Sequence, residues 1–218
     1  MNYINLELSA FYFDIRKDSL YCDPQSSEKR KASLYIINII FKTIAKLYAP
    51  ILSFTMDEVW KNYTLSLDKS IHLTRFELVN GDWGNANISA KWNNIRELRK
   101  TVTAALEIKR RDKEIGSSLE AGIQIYTNNR EIITSVSGVD LAEICITSSF
   151  ELIHKEPDSS CFILDEQPEI GVIVHIASGK KCKRSWRVTE DVGTDAEYPD
   201  LSKRDADAVR EFLSMRQD

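Results

Sequence analysis

The sequence predicts a mainly α protein in three parts: a helical bundle over residues 1–115, a small α+β domain over 116–179 and a polar tail over 180–218. Three observations carry this: apolar residues spaced by three and four before Gly116, alternation of apolar and polar residues after it, and a scarcity of large apolar residues beyond Gly179. Leu34, Ile37, Phe41, Ile44 and Tyr48 define an amphipathic helix over 26–48, whose buried face Ile36, Ile39 and Ile40 widen. Pro50 stops it, and Thr55 with Glu58 reads as a capping box that starts the next helical turn at Thr55. A polar connection with Gly81 and Gly84 follows, and Trp92, Ile95, Leu98, Val102 and Leu106 then keep helical spacing through about Arg111. Leu119, Ala121, Ile123 and Ile125 alternate with Glu120, Gly122 and Gln124, the pattern of a strand with one covered face. A short helix is expected over 131–136, strands over 142–147, 150–153 and 171–177, and a last helix around Ala206, Val209, Phe212 and Leu213.

With 218 residues and 43% hydrophobic content the chain can bury a real core. Lys plus Arg number 29 against 33 Asp plus Glu, so any nucleic-acid surface must be a local basic patch on a chain of net charge −4. The four cysteines, Cys22, Cys145, Cys161 and Cys182, are widely spaced and no secretory leader precedes them, which suits free thiols and a cytoplasmic location. Apolar stretches such as 34–40 are interrupted and too short to span a bilayer, so no membrane role is expected.

Several runs are too idiosyncratic to follow from helix patterning. They are Leu8-Ser9-Ala10-Phe11-Tyr12-Phe13-Asp14-Ile15-Arg16-Lys17-Asp18-Ser19-Leu20-Tyr21-Cys22-Asp23, Ala49-Pro50-Ile51-Leu52-Ser53-Phe54-Thr55-Met56-Asp57-Glu58-Val59-Trp60, Lys113-Glu114-Ile115-Gly116-Ser117-Ser118-Leu119-Glu120-Ala121, Cys182-Lys183-Arg184-Ser185-Trp186 and Asp191-Val192-Gly193. Together they resemble the C-terminal part of isoleucyl-tRNA synthetases, class I aminoacyl-tRNA synthetases, over essentially the whole chain. The resemblance implies an anticodon-binding helical bundle, a degenerate zinc-ribbon-like tail over 180–218, and a parent enzyme that charges tRNA with isoleucine using ATP. Its implied partners are tRNA and the parent's catalytic domain. Helical sequence precedes the Leu8 run in that family, so an uncovered bundle surface and self-association are also expected.

Class I catalysis needs His-Ile-Gly-His and Lys-Met-Ser-Lys-Ser signatures to stabilise the phosphoryl transition state, and this sequence has neither. No catalytic residue is expected. His72, His154 and His175 are isolated, and His72 and His175 read as hydrogen-bonded structural residues. The resemblance implies two Cys-x-x-Cys pairs holding structural zinc, yet only Cys182 is kept, with Ser185, Ser202 and Asp205 at the other three positions. Neutral hydroxyls are poor zinc ligands, so the metal site is expected to be lost.

What remains is charge and one aromatic. Basic clusters lie at Lys29–Lys31, at Arg96, Arg99 and Lys100, at Lys109, Arg110, Arg111 and Lys113, and at Lys180, Lys181, Lys183, Arg184 and Arg187 around Trp186. Single-stranded RNA is held by stacking splayed bases on aromatic rings while cations neutralise phosphate. Trp186, Lys183, Arg184, Arg187, Lys109, Arg110 and Arg111 are therefore the candidate RNA-binding residues. Arg16 and Lys17 are expected to pair with Asp14 or Asp18. A freestanding RNA-binding module and a non-catalytic protein-interaction domain are the alternative readings.

Overall fold

The chain coils from its start: the largely apolar run Tyr3–Phe13 forms wide π-type turns that tighten into α1, Asp14–Tyr21. The computed structural model describes residues 3–64, 69–76, 78 and 81–216. They fall into two compact units, Ser26–Gly84 and one assembled from Met1–Gln25 with Asn85–Asp218.

In the Ser26–Gly84 unit, α2 spans Glu28–Tyr48, and the Ser27 hydroxyl accepts the Arg30 N–H at its start. The helix α3, Ser53–Thr64, begins two residues before the expected cap at Thr55. Thr55 lies inside it because the Met56 N–H already bonds the Leu52 carbonyl at 2.9 Å. Ala45, Ala49, Trp60 and Ile71 are buried together here, with Phe41 and Met56 packed against them.

The helix α4, Ala86–Arg111, starts six residues earlier than Trp92, because the Asn85 side chain accepts the Ile88 N–H at 3.0 Å and caps the extra turns. The sequence pattern groups α4 with the bundle; in the structure α4 shares one compact unit with the start of the chain and the sheet. Its buried stripe of Ile95, Leu98, Val102, Ala105 and Leu106 covers a sheet whose Ile123, Ile125, Ile170 and Val172 share the same core. Burying each such side chain contributes about 1.5–3 kcal/mol, so the sheet's apolar face captures the longest amphipathic helix available.

That sheet contains β1 (Ala121–Tyr126), β2 (Ser149–Ile153), β3 (Phe162–Leu164) and β4 (Gln167–Ile176) in the order β2-β1-β4-β3. Strand β1 runs parallel to β2 and antiparallel to β4, with Ile123 opposite Phe150 on one side and Val174 on the other. A parallel pair needs a crossover, supplied by α5 (Arg130–Val136) and α6 (Leu141–Cys145). The strand expected over 142–147 is thus a correction. Asp140 caps a helix there by accepting the Ala142 and Glu143 N–H groups, and Ile146 ends it at φ +57°. Strand β3 has no counterpart in the sequence reading, and β4 starts four residues before the expected Gly171.

After Gly179 the chain forms a short hairpin, β5 (Lys180–Lys181) with β6 (Val188–Thr189), and then α7 (Lys203–Ser214). Gly179 has φ +114°, and a Cβ there would come within 2.3 Å of the Thr189 carbonyl oxygen, so the hairpin requires glycine. The protein is mainly α with an α+β part. No helix among the described residues is long and apolar enough to cross a membrane.

Candidate nucleic-acid interface and the polar centre beneath it

The β5–β6 hairpin turns over Cys182–Arg187 and carries Trp186 at its bend. The Trp186 N–H donates to the Cys182 carbonyl at 2.9 Å, and the Cys182 N–H to the Arg187 carbonyl at 2.8 Å, which closes the turn. Trp186 has φ +63° and remains 63% exposed. A bulky residue in the left-handed region is strained, by about 1–3 kcal/mol, and this indole recovers little by burial. Trp186 borders a cavity of about 310 Å³, whose apolar wall includes Ile15, Leu119, Ala142 and Ile146. That volume is at the lower end of small-ligand clefts.

The neighbouring cations divide by direction. Lys183 is exposed and pairs with Asp200. Arg184 turns inward, with Nη1 donating to the Cys22 carbonyl and to Asp205 Oδ1 (2.8 Å) and Nη2 donating to the Tyr21 carbonyl (2.9 Å). Arg187 Nη2 donates to the Ser148 carbonyl at 3.0 Å, while its buried Nε has no hydrogen-bond partner among the described residues. Lys109, Arg110 and Arg111 end α4, where cations complement the exposed carbonyl end of a helix. Their acidic partners lie in α4 and the turn after it: Glu114 for Lys109, Glu107 for Arg110 and Asp112 for Arg111. The structure therefore brings Lys183, Arg184, Arg187 and Trp186 into one hairpin and leaves the 109–111 cluster on a separate element.

Beneath the hairpin lies a fully buried carboxylate. Asp205 Oδ2 accepts the hydroxyls of Ser185 and Ser202 at 2.7 Å each and the Cys182 thiol at 3.3 Å. Burial alone would push its carboxyl up, but the Ser202 and Ser185 hydrogen bonds and the Arg204 and Arg184 charges hold it below the ordinary carboxylate range. Arg204 is bidentate to Asp18 and also reaches Asp23. Burial disfavours the charge of Arg204, yet Asp18, Asp205 and Asp23 overcome it and keep the guanidinium firmly protonated. Burial, with the Asp18 and Asp205 charges, pushes the nearby Cys22 thiol up to about 11.

Nothing in the sequence pattern marks Asp18, Asp23 or Arg204 as site residues. Lys17 does pair with Asp14, at 2.8 Å, but Arg16 reaches Glu143 on α6 at 2.9 Å instead of Asp14 or Asp18. Asp18 is taken by Arg204, which leaves Arg16 the carboxylate that α6 places beside α1. His72 Nε2 lies 3.2 Å from the Ser53 carbonyl, a structural contact as expected, and His175 is on β4 opposite Gly122. Among the described residues no group of three or more His, Cys, Asp or Glu side chains could hold a metal ion.

Residues 1–126 match the family model described as the anticodon-binding domain of tRNA ligase, and the chain belongs to that family. Its relatives include isoleucine–tRNA ligases. The protein of Bradyrhizobium diazoefficiens is 48% identical over 213 residues, covering 98% of this chain and 21% of that protein. The one from Bartonella henselae is 50% identical over 207 residues, 94% and 21% respectively, and the one from Agrobacterium fabrum 45% over 216 residues, 99% and 22%. The chain spans about a fifth of the length of these relatives.

Proposed function

We propose that this chain is the anticodon-arm-binding portion of an isoleucine–tRNA ligase. The parent would use ATP to charge tRNA with isoleucine on a catalytic domain outside this chain. The chain's own task is positional: contacts to the anticodon arm hold the tRNA so that its acceptor end reaches the distant catalytic site. The observation that carries this reading is Trp186, strained and exposed at the edge of a cavity, where an unpaired base can stack on the indole. Arg187, which lines that cavity, supplies positive charge beside the base. Lys183 supplies the outermost charge for phosphate, and Lys109, Arg110 and Arg111 a second phosphate contact on α4. Arg184, whose donors already serve protein acceptors, contributes charge from behind the ring. A Debye length of about 8 Å at physiological salt screens the scattered carboxylates from a phosphate docked at the hairpin, so net charge −4 is compatible with tRNA binding.

The tail is further proposed to be a zinc-ribbon relic that carries no zinc. A donor set of one thiol, one carboxylate and two hydroxyls, with Arg184 and Arg204 adjoining it, does not suit a dication. The four free cysteines favour a cytoplasmic setting. Ile51, Phe54 and Leu73, between 76% and 93% exposed, favour self-association, measurable as a concentration-dependent sedimentation profile.

The test is a tRNA titration at fixed salt with matched and mismatched anticodons. Binding on the order of micromolar or weaker is expected, with Trp186→Ala costing about 1–3 kcal/mol. Unchanged affinity for Trp186→Ala, with the fold intact, would show that this indole is not the RNA contact.

A further inference from the structure

Three of the four tail positions that the family resemblance assigns to zinc ligands converge on an atom of the fourth. Asp205 Oδ2 lies 2.7 Å from Ser185 Oγ, 2.7 Å from Ser202 Oγ and 3.3 Å from Cys182 Sγ. A zinc ion sits about 2.0–2.3 Å from each of its ligand atoms, so an ion shared by these groups would need the space that Oδ2 occupies. The carboxylate thus stands where the ion would be rather than where a ligand would be. The charges are inverted as well. A cation ringed by thiolates is replaced by an anion ringed by donors, with Arg184 Nη1 on Oδ1 at 2.8 Å and Arg204 Nη2 on Oδ2 at 3.4 Å. A buried carboxylate is stable only when its lone pairs are filled, and these five donors fill them.

We propose that Asp205 is the structural centre of the tail in place of a metal ion, and that it acts as a positioning residue for Trp186. The route to the indole is short: Ser185 immediately precedes Trp186, and the Trp186 N–H is bonded to the Cys182 carbonyl. Two arginines carry the same centre outward. Arg184 continues to the Tyr21 and Cys22 carbonyls and Arg204 to Asp18, so the carboxylate also fastens the tail to the end of α1. Only the positioning role rests on the reading of Trp186 as an RNA contact.

The experiment compares the 218-residue chain with Asp205→Asn, which removes the charge at nearly constant volume, and with the triple variant Ser185→Cys, Ser202→Cys, Asp205→Cys. The unmodified chain should give no cobalt(II)–thiolate absorption, and chelator should leave the protease resistance of residues 180–216 unchanged. In Asp205→Asn the tail should be cleaved about tenfold faster or more while β1 and α4 amides keep their exchange protection, the mark of a local opening. The triple variant should take up one equivalent of cobalt with a tetrahedral spectrum, and its tail should become chelator-sensitive. Stoichiometric metal in the unmodified chain, a tail equally resistant in Asp205→Asn, or no metal uptake by the triple variant would each overturn the proposal. For the positioning role, Asp205→Asn should lower tRNA affinity by the same factor as Trp186→Ala, with no further loss in the double variant. Affinity kept in Asp205→Asn but lost in Trp186→Ala removes that role. If Trp186→Ala alone changes nothing, the RNA reading fails, and the proteolysis and cobalt measurements still decide the structural centre.

Discussion

The sheet and the tail belong to one compact unit but are held by different physics. Between α4 and the sheet, Ile95, Leu98, Val102, Ile123 and Ile125 are wholly buried, and their contribution is non-directional and proportional to the area removed from water. In the tail only small apolar residues, Val192, Ala206 and Ala208, are buried beside Cys182, Ser202 and Asp205, and cohesion leans on hydrogen-bond directions and on two arginines. An apolar core tolerates small shape changes at modest cost, whereas a buried polar network is sound only when every member is satisfied. The tail is therefore the more brittle region although it is the smaller.

The strongest perturbation should be Leu98→Ala, which leaves a cavity under the sheet and is expected to cost about 2–5 kcal/mol, read as a lower denaturant midpoint for the unit that contains the sheet. Arg204→Gln should cost less, about 1–3 kcal/mol, and only locally, because it strips Asp18 of its bidentate partner. Hydrogen exchange should then quicken in α7 and the end of α1 but not in β1; a uniform loss of protection would erase the distinction between the two regions. Trp186→Gly sharpens it from the other side. Relief of the positive φ should stabilise the hairpin by about 0.5–1 kcal/mol while tRNA affinity falls. If stability also falls, the indole is holding the tail together.

The smallest effect lies in the Ser26–Gly84 unit and is one of pH. Asp57 accepts from Lys61, from the Ser70 hydroxyl at 2.6 Å and from the Ile71 N–H at 3.0 Å, and these bonds pull its carboxyl down to about 2 from the usual 3.8. Since the folded value is depressed, the contribution is complete above about pH 4 and is lost as pH falls through about 2. The Ile71 amide resonance should move in that window, and Asp57→Asn should abolish the step. The apolar core beneath β1 has no such acid dependence.

What could be read in the sequence followed from periodicity. The helix α2 and most of α4 show apolar residues at three and four, and β1 and β2 show strand character, so each was legible within a few residues. The segment over 142–147 was misread because a short apolar run has no period to separate strand from helix; Asp140 before it and the left-handed Ile146 within it decided the matter. The direction of Arg184 was not legible either. A cation beside an aromatic looks the same in sequence whether it faces solvent or a carbonyl 162 residues away. Asp205 was visible as a replaced ligand position, but its place at the focus of the others is a fact of three-dimensional convergence alone.

The bond between Asp18 and Arg204 also sets an order of events during synthesis. The two residues are 186 positions apart, so at roughly 5–20 residues per second Asp18 leaves the ribosome about 9–37 s before its partner does. The Ser26–Gly84 unit is complete in sequence well within that interval. The end of α1 must meanwhile remain without Arg204, Arg184 or the Glu143 partner of Arg16. The unit that contains the sheet can thus close only after residue 204 has emerged, with the hairpin that carries Trp186 among the final parts to lock.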